Sequence, residues 1–161
     1  MKKVKFILTI MAICLGMAET LSSCSDKNEE PLIPAARQIA GTYVGDITCN
    51  VLTTTLNYEA LTVTLVATDD ATVTVSIPSF GGNGHNTLPS FDIPSVKVSA
   101  DDGIFRIATT EFSGTNDAGQ AYSGTLHGNM TDGILTLEFN LHIGAMPMPM
   151  TCKFISTSSN K

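Results

Sequence analysis

Tryptophan is missing from the 161 residues, aromatic side chains make up only 6%, and charged ones only 15%. Basic groups are scarce. Nine Lys and Arg stand against 15 Asp and Glu, a formal net charge of −6. That balance excludes the basic footprint of a nucleic-acid binder. With no Trp and three Tyr, little is left for the stacking platforms of a sugar-binding module. A long hydrophobic run is also missing. The one apolar stretch, Phe6 to Ala18, has 13 residues, whereas a membrane helix needs roughly 20, so a polytopic membrane protein is excluded. What the chain does have is 43% hydrophobic residues. That is too apolar for intrinsic disorder, and the length suits about one domain.

The amino terminus reads as an address. Lys2, Lys3 and Lys5 form a positive start, and the apolar stretch that follows suits a secretory core segment. Leu21-Ser22-Ser23-Cys24 then resembles the lipobox of bacterial lipoproteins. The resemblance implies a diacylglyceryl group on the Cys24 sulfur, cleavage before Cys24, and acylation of the new amino terminus. Glu19 departs from the usual pattern, and the bland alternative is ordinary signal cleavage leaving Cys24 as a free thiol. The acidic cluster behind it, Ser25-Asp26-Lys27-Asn28-Glu29-Glu30, resembles the export signal of surface-exposed outer-membrane lipoproteins, with a solvated tether as the alternative. Three domains of organisation follow: a signal over 1–23, an acidic flexible tether over 24–38 with a short helical turn around Ala35–Gln38, and a folded domain over 39–161. The expected membrane partner is reached through the lipid alone. With Lys2, Lys3, Lys5 and Glu19 removed, six basic and 14 acidic side chains remain, net −8, so a like-charged leaflet would repel the domain.

Beyond residue 40 the dominant pattern has a period of two, the signature of half-buried strands. Tyr43, Ile47, Cys49 and Val51 share one face; Leu61, Val63, Leu65 and Ala67 another. Val73, Val75 and Ile77 repeat the pattern, as do Val96 and Val98, and Phe105 and Ile107. Tyr122, Leu126 and Met130 oppose Thr125, His127 and Asn129. Leu135 to Ile143 and Met150 to Phe154 complete about eight strands. Asp69-Asp70, Asp101-Asp102-Gly103 and Asp132-Gly133 fall at the breaks, where turn chemistry favours Asp and Gly. The longest non-strand stretch is Ser79–Ser90. The expected architecture is antiparallel all-β, as a barrel or sandwich. Once Cys14 leaves with the signal and Cys24 carries lipid, Cys49 and Cys152 remain, both on apolar faces, in the first and last strands. In an oxidising compartment they are expected to pair; two buried thiols are the alternative.

Three segments resemble the calycin-like β-barrel domains of bacterial lipoproteins: Ala40-Gly41-Thr42-Tyr43-Val44-Gly45; the pair Ile77-Pro78-Ser79-Phe80 and Leu88-Pro89-Ser90-Phe91; and Gly133 to Leu137 followed by Thr151-Cys152-Lys153-Phe154. The resemblance covers about residues 39–156. It implies a lipocalin-like, eight-stranded antiparallel barrel with an internal cavity. Tyr43 stands where true lipocalins carry Trp. No common activity comes with the family, so no catalytic residue is carried over. Candidate lining residues for such a cavity are Tyr43, Leu137, Phe139, Met148 and Met150.

Sharper chemistry is thin. Met146-Pro147-Met148-Pro149-Met150 sets three thioethers at alternate positions, which could hold Cu(I) but equally suits packing or cavity lining. The turn at Thr131–Gly133 is expected to put His127 opposite about Thr136, too far from His142 to share an ion. His85 sits in the Gly-rich loop. Gly81-Gly82-Asn83-Gly84 lacks the Lys and the helix of a phosphate cradle. No nucleophile elbow or acid/base pair stands out, so no enzyme, metal or cofactor is expected. The reading is a cell-envelope lipoprotein of the outer membrane that binds a small apolar or amphipathic ligand. The alternatives are a structural or protein-interaction lipoprotein without ligand, and a Cu(I) carrier.

Overall fold

The computed structural model describes residues 32–82, 87–116, 119–145 and 149–160, with side chains to residue 157. Cys24, the signal, most of the tether, His85, Met146 and Met148 lie outside the described residues. The chain divides into two units, Met1–Leu32 and Ile33–Lys161, and the second holds the fold.

It opens with a helix, α1 (Ala35–Ile39), where a helical turn was expected, and continues as β1 (Gly41–Val51), β2 (Thr54–Ala67) and β3 (Thr72–Ile77). A small hairpin, β4 (Phe80–Gly81) and β5 (Thr87–Leu88), lies within the stretch read as non-strand. Its two short runs are too brief to register as alternation. Then come β6 (Phe91–Asp101), β7 (Ile104–Thr115), β8 (Ala121–Thr131), β9 (Ile134–Ile143) and β10 (Met150–Asn160). Eight of the strands close into an antiparallel barrel in the order β1-β10-β9-β8-β7-β6-β3-β2. The order follows the chain apart from the hairpin, so neighbours in sequence are neighbours in space.

Alternation drives this closure. Tyr43, Ile47 and Cys49 of β1 point inward to meet Val63 and Leu65, Leu135 to Ile143 at odd positions, and Met150, Cys152 and Phe154. They form one continuous core, as close packing requires. At one end the β6–β7 and β8–β9 hairpins turn on Asp102-Gly103 and Asp132-Gly133, each with positive φ at both residues, the two-residue turn whose twist matches flanking strands. α1 closes this same end. Ala36 and Ile39 are buried, the Ala36 N–H donates to Asp70 O, and Arg37 pairs with Asp70 at 3.2 Å. The Tyr43 hydroxyl donates to Ile39 O at 2.7 Å and lies 3.3 Å from Met130 Sδ. The opposite end carries the longer connections 78–90, 116–120 and 144–149. It is the loop-bearing end.

Cys49 and Cys152 face each other directly across β1 and β10, with Cα atoms 4.1 Å apart, and form a disulfide. It staples the first strand to the last.

Candidate functional site

Four of the five residues read as cavity lining are described. Tyr43, Leu137, Phe139 and Met150 point inward, with 1%, 0%, 2% and 3% of their surface exposed, and all belong to the packed core. Met148 lies outside the described residues.

Open space lies instead at the loop-bearing end. A cleft of about 240 Å³ is lined by Ser90, Phe91 and Asp92 at the start of β6, Thr115 and Asn116 at the end of β7, and Tyr122 at the start of β8. Beneath it is an aromatic cluster. The Phe91 and Phe112 rings stack at 5.7 Å and 18°. Tyr122 tilts against Phe91 at 5.4 Å and against Phe112 at 6.3 Å, and Phe139 meets Phe91 edge-on at 6.3 Å. Such geometries suit the ring quadrupole.

Glycines make room for these rings. Phe112 of β7 lies opposite Gly124 of β8, and Tyr122 of β8 opposite Gly114 of β7. A methyl group on Gly124 would meet the Asn140 carbonyl oxygen first and stand 2.7 Å from Phe112 Cζ, and one on Gly114 would stand 2.5 Å from the Tyr122 hydroxyl. Each ring therefore lies across the bare backbone of its partner strand. Asn116 holds the connection beyond. Its Oδ1 accepts from the Gln120 N–H at 2.9 Å, and its backbone N–H donates to Gln120 O at 3.0 Å.

Around the cleft the wall is not continuously paired. β6 bonds to β3 from Phe91 to Lys97, but to β7 only from Val98↔Ile107 to Asp101↔Ile104. A second hollow, about 400 Å³ and bordered by Ala71, Thr72, Lys97, Val98 and Ala108 among others, opens where β6 and β7 begin to part.

Sequence reasoning named Phe139 of this cluster and put Tyr122 on an inward face, but missed Phe91, Phe112 and Tyr122 as site residues. The signal was the reciprocal spacing Phe112-x-Gly114 and Tyr122-x-Gly124. It was hidden by a register shift between Ile107 and Thr110, which moves the inward face from odd to even positions. That extra residue is a β-bulge, and alternation cannot be extrapolated through one.

The outer wall carries one further arrangement. His127 lies opposite Glu138, two positions beyond the expected Thr136, because Thr131 already pairs with Ile134 across a two-residue turn. Glu138 Oε1 is 3.0 Å from Lys153 Nζ, and Oε2 is 3.4 Å from His127 Nε2. The hydrogen bond from Lys153 and its charge hold the Glu138 carboxyl below its usual range, with His127 adding less. His127 and Glu138 of this exposed trio border a hollow of about 60 Å³. Among the described residues, no three His, Cys, Asp or Glu gather as a metal site.

Comparison with known proteins agrees with the barrel. No protein of curated function matches the chain. A crystal structure of a Bacteroides fragilis protein, provisionally assigned to the outer membrane, superposes with a TM-score of 0.66 at 26% identity. The likeness covers 77% of this chain and 52% of that one, so the chain spans about half the length of that protein. Residues 39–157 match the calycin-like β-barrel domain. The closed eight-stranded topology and this match over most of the length make the chain a member of the calycin-like β-barrel domain family.

Proposed function

We propose that this protein is a cell-envelope lipoprotein whose barrel binds a small apolar or amphipathic molecule at its loop-bearing end, without carrying out a reaction. The observation that carries the reading is the cleft of about 240 Å³, whose open surface is mainly polar, from Ser90, Asp92, Thr115 and Asn116, over the rings of Phe91 and Tyr122. A polar mouth above aromatic rings suits an amphipathic molecule, polar groups orienting it and rings packing its apolar part. Binding, not catalysis, is favoured by the position of the acidic side chains. Among the described residues that line the cleft, Asp92 is the one carboxylate, so no acid/base pair faces a ligand there.

The envelope assignment draws on the lipobox at Leu21–Cys24 and on the provisional outer-membrane assignment of the Bacteroides fragilis relative. Three acyl chains on Cys24 would anchor it firmly, since two already suffice. Metabolic labelling with a radioactive fatty acid tests this. Cys24→Ala is expected to abolish label and membrane retention, and a labelled, retained variant would sink the anchor.

Native mass spectrometry of protein purified from its own host tests the ligand. A bound small molecule is expected. Clean spectra, together with no binding of any ring or acyl probe, would favour a structural or protein-interaction lipoprotein, a reading the packed interior already accommodates.

A further inference from the structure

We propose that the ligand seat is the seam between β6 and β7, opened sideways by parting of the Phe91–Phe112 stack, and that it takes a flat, neutral or cationic ring bearing a hydrogen-bond donor. The proposal rests on the ligand-binding reading and names its site.

Three independent observations meet on this seam. Pairing between β6 and β7 stops at Val98↔Ile107. Beyond that point, residues 91–97 of β6 bond to β3 and residues 110–115 of β7 bond to β8, not to each other. The unpaired length is about 20 Å at strand rise. The two hollows, of about 240 and 400 Å³, lie at the two ends of this length. Finally, the stack of Phe91 on Phe112 joins one bank of the seam to the other.

Elsewhere in the barrel, parting two strands would break ladder bonds and strand their donors and acceptors, which is costly. Across this seam no β6–β7 ladder bond stands in the way. The barrier is a contact between two rings, which side-chain rotation relieves. A planar molecule that slides between them exchanges one ring stack for two and regains the edge contacts of Tyr122 and Phe139.

The polar border narrows the chemistry. Asp92 is an acceptor, and the chain is net negative. A ring with an N–H or O–H finds a partner there, whereas an anionic ring meets repulsion. The bulges on the two banks, at Ser95 with φ of 59° and between Ile107 and Thr110, interrupt any regular edge, which disfavours an added peptide strand.

Indole is a suitable neutral probe and benzoate its anionic counterpart. Binding to the full chain in detergent micelles is read by saturation-transfer NMR against empty micelles. Pro94→Cys with Ser113→Cys places thiols on the two banks, at exposed positions of β6 and β7 outside the cleft lining. Bridging them with a short bismaleimide is expected to weaken indole binding by about tenfold or more, while capping both with N-ethylmaleimide leaves it. Gly114→Ala, which displaces the Tyr122 ring, is expected to weaken binding without the cross-link, and benzoate is expected to bind less well than indole. If indole binds the bridged and capped proteins alike, the seam is overturned and the ligand reading survives. If neither indole nor any acyl or ring probe binds the unmodified protein, both fall.

Discussion

The hydroxyl of Tyr43 donates to Ile39 O beneath α1, so this one group ties the helix to the first strand. Replacing it with Phe strands the carbonyl. Tyr43→Phe is expected to cost about 1 kcal/mol at neutral pH, measured by urea unfolding. Burial also raises the Tyr43 pKa above 10.0. The sign follows directly. Below pH 10 the ring is neutral folded and unfolded, and the stabilisation is complete. As pH climbs through the raised folded value it is lost, because the unfolded chain ionises more readily. The wild type should therefore lose stability above pH 10 more steeply than Tyr43→Phe. Glu138 runs the other way. Its lowered pKa contributes stability above the ordinary carboxylate value, lost as pH falls through the folded one. Lys153→Met should raise the Glu138 pKa in a carbon-13 NMR titration, with a stability change below about 1 kcal/mol, since the pair is exposed.

At the scale of the strand, the disulfide and the bulges decide how the barrel closes. The Cys49–Cys152 bridge spans 103 residues, a loop that contributes about 4–5 kcal/mol in the chain-entropy model. Cys49→Ala with Cys152→Ala is expected to lower urea stability by that order. An unchanged midpoint would show that the unfolded chain keeps its ends together without the bridge. The same strands explain what was legible in the sequence. Where alternation runs unbroken, as in β1, β3, β9 and β10 up to Ser156, residue parity correctly gave the inward face and put Cys49 and Cys152 on it. Where a bulge intervenes, parity fails. Ala60 has φ of 54° and interrupts β2, so Tyr58 turns inward while the pattern from Leu61 onward says nothing about it. The bulge after Ile107 hid Phe112 in the same way. About eight strands were therefore readable from local patterning and the choice of a barrel over a sandwich came from the family resemblance, whereas the aromatic cleft, assembled from β6, β7, β8 and β9, depended on registers that period-two counting cannot supply.

For the molecule as a whole, one end is finished and the other is not. α1 and tight Asp-Gly turns seal the first, and the long connections and the cleft occupy the second. The disulfide has a consequence for survival in a protease-rich environment. Because it links β1 to β10, residues 49 to 152 form a covalent ring that contains the other six barrel strands. A single peptide-bond cut in any connection within that ring opens the loop without releasing a fragment. Limited proteolysis should therefore yield a full-length band on a non-reducing gel and two pieces after reduction, and the nicked protein should keep its barrel circular dichroism spectrum. Damage that would dismantle an unbridged barrel leaves this one assembled, and its lifetime under proteolysis is set by the second cut, not the first.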